Sequence, residues 1–224
     1  VEDYSNYQMT LRFMAGSMGV PFLPTRSGLG TSIIDKWGFP AELRRTDPKI
    51  PNQKLVVMDN PLDGWGDAAR VVLVPAINPD VTILHAQKAD AQGTVRIEGL
   101  TFADVEQAKA ARYLIVTCEE LVEVDVLRAA PDQNQIPFFC VDAVVPVPWG
   151  AFPTACYRYY DYDPVYLNQY RQAAMDDERY RTYLEMFVYG VPDHHTLIER
   201  VGRRRLEAIK ADPQTGYAVN LDRR

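Results

Sequence analysis

The densest set of residues that could do chemistry lies between Glu2 and Thr31, EDYSNYQMTLRFMAGSMGVPFLPTRSGLGT. Asn6 offers a side-chain amide, a donor that carries no charge of its own. It follows Ser5, and Ser5 with Gln8 forms an S-x-x-Q capping box, so a helix is expected to begin beside Asn6 with backbone N–H groups pointing out of its first turn. Such donors stabilise negative charge. Arg26, Ser27, Gly28, Leu29, Gly30 and Thr31 make a second group: a guanidinium beside a loop whose two glycines let backbone N–H groups approach a carboxylate or phosphate. The bland alternatives are a capping role for Asn6 and a surface or interface ion pair for Arg26. Gln87 follows the apolar run Val81 to Ala86 and is expected on a loop at a strand's carboxyl end, where open parallel sheets bind ligands. His85 reads as a satisfied structural histidine. Glu119 and Glu120, after a run ending at Thr117, read as a hydrogen-bonded turn or a polar contribution to that same end.

Other chemistries fit poorly. Ala15-Gly16-Ser17-Met18-Gly19 has the outline of a nucleophile elbow, but a helical run precedes Ser17 and an extended run follows it, the reverse of the required context. His194-His195 with Asp193 and Glu199 lacks metal-ligand spacing and opens a helix. Cys118, Cys140 and Cys156 are odd in number and widely spaced, which argues against a disulfide framework or zinc site and fits a reducing, cytoplasmic location. Dinucleotide and P-loop signatures are missing. A net charge of −6 argues against a nucleic-acid or anionic-membrane partner, either of which would need a basic face. Nor is there an apolar run approaching the roughly 18 residues of a membrane span.

These groups need a scaffold to hold them. Leu11, Met14, Ala15 and Met18 recur at helical spacing and should bury one stripe of the first helix, which Gly16 and Gly19 end. An extended run, Val20 to Pro24, then delivers the glycine loop. Asp35 to Arg45 is a short helix or irregular. Short β-branched runs at Leu55–Met58, Val71–Val74, Val81–Ala86, Val95–Ile97, Tyr113–Thr117 and Val141–Val147 read as strands. Helices are expected over Asp104–Arg112, started by Thr101, and, after Asp163-Pro164, to Met175, over Asp177–Phe187 and over Asp193–Ile209. Arg203-Arg204-Arg205 would close the last of these. Continuous hydrophobicity and β/α alternation predict an α/β fold: an open, mostly parallel sheet with helices on both faces and a C-terminal helical layer. Residues 1–224 are expected to form a single domain, an α/β core over 1–162 and the helical layer over 163–224. The tyrosines between Tyr157 and Tyr166 read as core or interface packing rather than a ligand wall.

The order of motifs adds a family. Glu2-Asp3-Tyr4-Ser5-Asn6, Ala15-Gly16-Ser17-Met18-Gly19-Val20-Pro21, Ser27-Gly28-Leu29-Gly30-Thr31, Asp59-Asn60-Pro61, His85-Ala86-Gln87, Gly93-Thr94-Val95-Arg96-Ile97, Thr117-Cys118-Glu119-Glu120, Val141 to Val145 and Gly150-Ala151-Phe152-Pro153 follow one another in this sequence. With them the chain resembles the family I CoA-transferases, and within these the A-type subunits of the glutaconate enzymes. The resemblance implies thioester exchange in which a glutamate on a B-type partner chain attacks an acyl-CoA. This chain then supplies one wall of the pocket and no nucleophile. Asn6 stands where 3-oxoacid members carry a glutamine that donates to the thioester oxyanion, while ring-opening hydrolases carry a glutamate there. Coenzyme A enters as substrate, with no permanently bound cofactor. Further implications are a hetero-oligomer, a carboxylate acceptor, and a further chain or segment supplying strands that precede this stretch in the family. The alternatives are an acyl-CoA or ring-opening hydrolase of the same family and a non-catalytic structural subunit.

Overall fold

Ser5 and Gln8 do start a helix. The Ser5 hydroxyl accepts the Gln8 N–H at 3.1 Å and Gln8 Oε1 accepts the Ser5 N–H at 3.0 Å, which closes the capping box and begins α1 (Asn6–Met18). Leu11 and Ala15 are buried as the helical spacing predicts, whereas Met18 is exposed. Gly19, at φ 69°, ends the helix in the left-handed conformation, and Gly16 lies inside it. The computed structural model describes residues 1–62 and 69–221. After α1 come β1 (Phe22–Thr25), α2 (Ala41–Thr46), β2 (Val56–Asp59), β3 (Arg70–Pro75), β4 (Val81–Asp90), β5 (Val95–Arg96), α3 (Asp104–Ala110) and β6 (Tyr113–Val122). Then follow α4 (Val124–Arg128), β7 (Ala143–Pro146), α5 (Pro164–Ala173), α6 (Asp177–Leu184), α7 (His194–Val201) and α8 (Arg203–Ile209).

The chain divides into two compact units, Val1–Thr82 with Thr101–Leu114, and Ile83–Leu100 with Ile115–Arg224. The division falls inside β4 and β6, each strand supplying its first residues to one unit and the rest to the other. In the first unit, β1, β3 and β2 form a sheet in that order, both pairs antiparallel. Leu11, Leu55, Val72 and Val74 make its core, with Tyr4, Met14, Leu23 and Leu29 packed around them. α3 packs on α1. It opens on Ala103 without a side-chain cap, Thr101 contributing only its carbonyl to the Asp104 N–H at 2.8 Å.

The second unit is built on the sheet order β5-β4-β6-β7, with β4 and β5 antiparallel and β6 and β7 parallel. The α/β class is therefore as expected, with the first sheet antiparallel and the second mixed in direction rather than mostly parallel. The extended run at Val20–Pro24 proves to be a strand in its own right, paired with β3, and the turn at Asp90–Gly93 folds β5 back on β4. On the C-terminal side, Asp163 caps α5 by accepting the Tyr166 N–H at 2.8 Å, with Pro164 in the first turn. Tyr166 is buried against Phe152, Tyr183 and Phe187, so this tyrosine packs as the spacing suggests. The helix expected over Asp193–Ile209 breaks at Gly202, whose φ of 89° with ψ of 141° is not helical. The arginine run therefore opens α8 rather than closing a helix, and Arg205 reaches the Asp163 carboxylate at 3.2 Å.

Candidate active site

In the first unit, Asn6 is the first residue of α1 and its side chain is exposed. The Gln8 N–H is taken by Ser5, and among the described residues the Asn6 and Tyr7 N–H groups, outside the helix ladder, have no partner at the same turn. Gln8 itself is fully buried and does more than close the box. Its Nε2 donates to the Ser27 carbonyl at 3.2 Å, so one amide binds the N-terminus of α1 at one end and the glycine loop at the other. Gly28 makes this possible: with φ at 95°, a Cβ there would lie 2.6 Å from Gln8 Nε2. The loop closes on itself through Leu29 N–H to Arg26 O at 3.3 Å, Thr31 N–H to Gly28 O at 3.1 Å and the Thr31 hydroxyl to the same carbonyl at 2.7 Å. Among the described residues, the Gly28 and Gly30 N–H groups are left unused by this turn. Arg26 is exposed and, among the described residues, forms no ion pair. Asn6, Arg26, Ser27, Gly28, Gly30 and Thr31 thus belong to one locally braced substructure. Gln8 is the member that sequence reasoning missed as a tie between its halves. The available signal was a third-position glutamine in the cap followed by a loop residue with no side chain.

Gln87 lies elsewhere, in the second unit, and is not on a loop. β4 continues through it to Asp90, and its side chain is 5% exposed. Its Nε2 donates to the carbonyls of Glu98 at 3.1 Å and Tyr157 at 3.3 Å, and its Oε1 accepts the Glu98 N–H at 3.0 Å. The amide is fully committed to backbone. β6 likewise runs on past Thr117, so Glu119 is a buried strand residue rather than a turn. Its Oε1 lies 2.7 Å from His85 Nε2 and accepts the Tyr160 hydroxyl at 2.5 Å, and its Oε2 accepts the Trp149 N–H at 2.8 Å. His85 Nδ1 is 2.9 Å from Thr117 Oγ1, so both ring nitrogens are engaged, as a structural histidine requires. Tyr160 also accepts the Ala151 N–H at 2.8 Å and stacks on Trp149 with ring centroids 4.5 Å apart.

Donor atoms of His85, Glu119 and Cys156 come within 4.8 Å of one another, the geometry of a three-ligand metal set. The chemistry points the other way. Glu119 already holds three donors, and burial first, with Glu119 second, pushes the Cys156 thiol up to about 12, which keeps it protonated and a poor ligand. The Tyr160 hydroxyl is pushed up as well, by burial and then by its bond to Glu119. Ser17 lies within α1 and donates to the Met14 carbonyl at 2.8 Å, a helical back-bond that leaves the elbow idea without support. His194 and His195 follow the capping Asp193, which accepts the Thr196 N–H at 2.8 Å.

Residues 1–146 match the family described as Coenzyme A transferase. The chain belongs to the Coenzyme A transferase family. It is 39% identical over 221 residues to the A-type subunit of glutaconate CoA-transferase from Acidaminococcus fermentans, covering 99% of this chain and 68% of that one. The crystal structure of the glutaconate coenzyme A-transferase from that organism superposes with a TM-score of 0.90 at 40% identity, covering 98% of this chain and 68% of the other. The A-type subunit of 3-oxoadipate CoA-transferase from Pseudomonas knackmussii is 31% identical over 194 residues, covering 86% of this chain and 61% of its own. The transferase-family chain thus spans roughly two thirds or less of the length of these relatives. Among its described residues no helix is long and apolar enough to cross a membrane.

Proposed function

We propose that this chain acts as the A-type half of a CoA-transferase that moves CoA from an acyl-CoA thioester to a carboxylic acid, with the nucleophilic glutamate on a B-type partner chain. The observation that carries the proposal is the exposed Asn6 amide at the open turn of α1, tied by buried Gln8 to a glycine loop with unused N–H groups. That arrangement supplies donors without a nucleophile, which is half of what the exchange needs. The partner's glutamate carboxylate attacks the thioester carbonyl, and collapse of the tetrahedral adduct expels CoA thiolate and leaves an acyl anhydride. The thiolate then attacks the glutamyl carbonyl, giving glutamyl-CoA and the free acid. Reversal with a second carboxylate completes the transfer. Asn6 Nδ2 donates to the oxyanion formed at each addition, a role suited to a neutral amide because it remains a donor throughout. Arg26 and the loop from Ser27 to Thr31 offer cationic and backbone N–H groups to the acyl carboxylate or a CoA phosphate, and CoA is consumed and regenerated rather than held as a cofactor.

The test is to mix the assembled protein with an acyl-CoA alone and then with an added carboxylate. Transfer of CoA to the added acid is expected, with none from this polypeptide purified by itself. Release of free CoA at the same rate without an acceptor would replace transfer by hydrolysis.

A further inference from the structure

A polar cleft of about 620 Å³ opens in the first unit between α1 and the segments around Ile50 and Ile77. None of Asn6, Arg26, Ser27, Gly28, Gly30 or Thr31 lines it. At its inner side is Arg12, only 9% exposed, one helical turn beyond Met9. One face of the guanidinium is covered by the Tyr4 ring, 4.2 Å from its centroid. Nε donates to the Pro75 carbonyl at 3.2 Å, and Nη1 meets only the Met9 sulfur at 3.9 Å. Among the described residues no carboxylate pairs with Arg12 and Nη2 makes no hydrogen bond. Arg12 is not among the buried polar atoms left without a partner, so the unbonded Nη2 reaches the surface, and a guanidinium with one oxygen acceptor for five N–H groups has donors to offer a ligand.

The remaining charges around the cleft cancel. Glu2 is held by Arg44, by the Tyr4 hydroxyl at 2.9 Å and by the Phe39 N–H at 3.2 Å. Lys49 and Asp80 pair with each other at 2.6 Å at the exposed rim. Arg12 is therefore the cation of the cleft with no carboxylate of its own, and it shares the lining with apolar Phe39, Ile50, Pro51 and Ile77. A single fixed cation with a planar donor edge selects one carboxylate, and apolar walls select a short hydrocarbon tail rather than a second charge.

We infer that the Arg12 cleft is a binding site for a short-chain monocarboxylate, separate from the glycine-loop site. The carboxylate accepts from the free N–H groups of Arg12, and its tail lies against Phe39 and Ile50. The inference does not rest on the transfer reading, since binding here is measured with no CoA present.

Calorimetric titration of the purified assembly with sodium butyrate, in a buffer of matched ionic strength, tests it. Saturable binding with Kd on the order of 1 mM is expected, with no saturation by 1-butanol and none by inorganic phosphate in the same range. Arg12→Gln and Ile50→Glu, the second placing a rival carboxylate in the cleft wall, should each weaken butyrate by at least about tenfold. Where Arg12→Gln fails to fold, Ile50→Glu, a change in the cleft wall away from α1, still separates this site from the glycine loop. Absence of saturable butyrate binding, as when a protein segment fills the cleft, overturns the inference. So do unchanged affinity in Arg12→Gln and phosphate binding as tight as butyrate.

Discussion

Two polar clusters, one in each unit, handle their groups in opposite ways. In the second, His85, Glu119, Tyr160 and the Trp149 N–H close on one another until each has its partners, and Gln87 commits its whole amide to backbone. In the first, Gln8 is equally buried and equally committed, yet its neighbours Asn6 and the glycine loop keep donors open. By residue type alone, the His–Glu–Cys–Tyr set is the more suggestive of the two. Its completeness argues for structure, because a buried group whose bonds are all made has nothing left to offer a substrate without losing what holds it.

The comparison is broken or sharpened by mutation. The largest effect is expected from Glu119→Ala, which strands the His85 ring, the Tyr160 hydroxyl and the Trp149 N–H together: a loss of about 3–5 kcal/mol in denaturant unfolding, with remaining folded protein active in proportion to its amount. A collapse of turnover at unchanged stability would instead make that cluster catalytic. Asn6→Ala should do the reverse, lowering kcat by about 10²–10³ while the unfolding midpoint stays in place, as measured by steady-state CoA transfer beside thermal melting. A drop in stability to match would reduce Asn6 to a cap.

Smaller effects probe the tie and the burial. Gly28→Ala places a methyl 2.6 Å from Gln8 Nε2 in a left-handed backbone, so about 1–3 kcal/mol of stability should be lost together with activity, whereas Gly30→Ala, with open space at its Cβ, incurs only the backbone strain. The response to alkali is the most gradual. The unfolded chain gives up the Cys156 proton near 9.0, while the native protein keeps it until about 12. Stability present below the lower value is therefore lost as pH rises between them, by about 1 kcal/mol per pH unit. Cys156→Ala should flatten that slope in thermal melts taken across the range.

Much of the first unit was legible because its signals are local. A capping box, a left-handed glycine and a helical stripe act over a few residues, and α1 forms where they place it. The β-branched runs stand out for the same reason. What escaped was set by tertiary pairing. β4 persists through His85-Ala86-Gln87-Lys88-Ala89-Asp90 because partner strands satisfy its backbone, although the hydrophobic pattern fades there. Glu119 sits in a strand because its charge finds three donors from distant segments, which no window of sequence displays. Gly202, easily read as a tolerated helical glycine, ends one helix and starts another. Arg12 was visible only as a cation next to the buried stripe at Leu11, a hint too weak without the cleft around it.

The glycine loop takes its path from main-chain atoms: the Ser27 carbonyl, the torsions of Gly28 and the Gly28 carbonyl that receives Thr31. Arg26 is exposed and forms no ion pair among the described residues, whereas the Thr31 hydroxyl is one of the ties that close the curve. Such a loop behaves like an interchangeable fitting on a fixed mount. Position 26 can be recoded while Gln8 and Thr31 continue to hold the curve, so on the proposed transfer reading altered selectivity can be sought there without rebuilding the helix beneath.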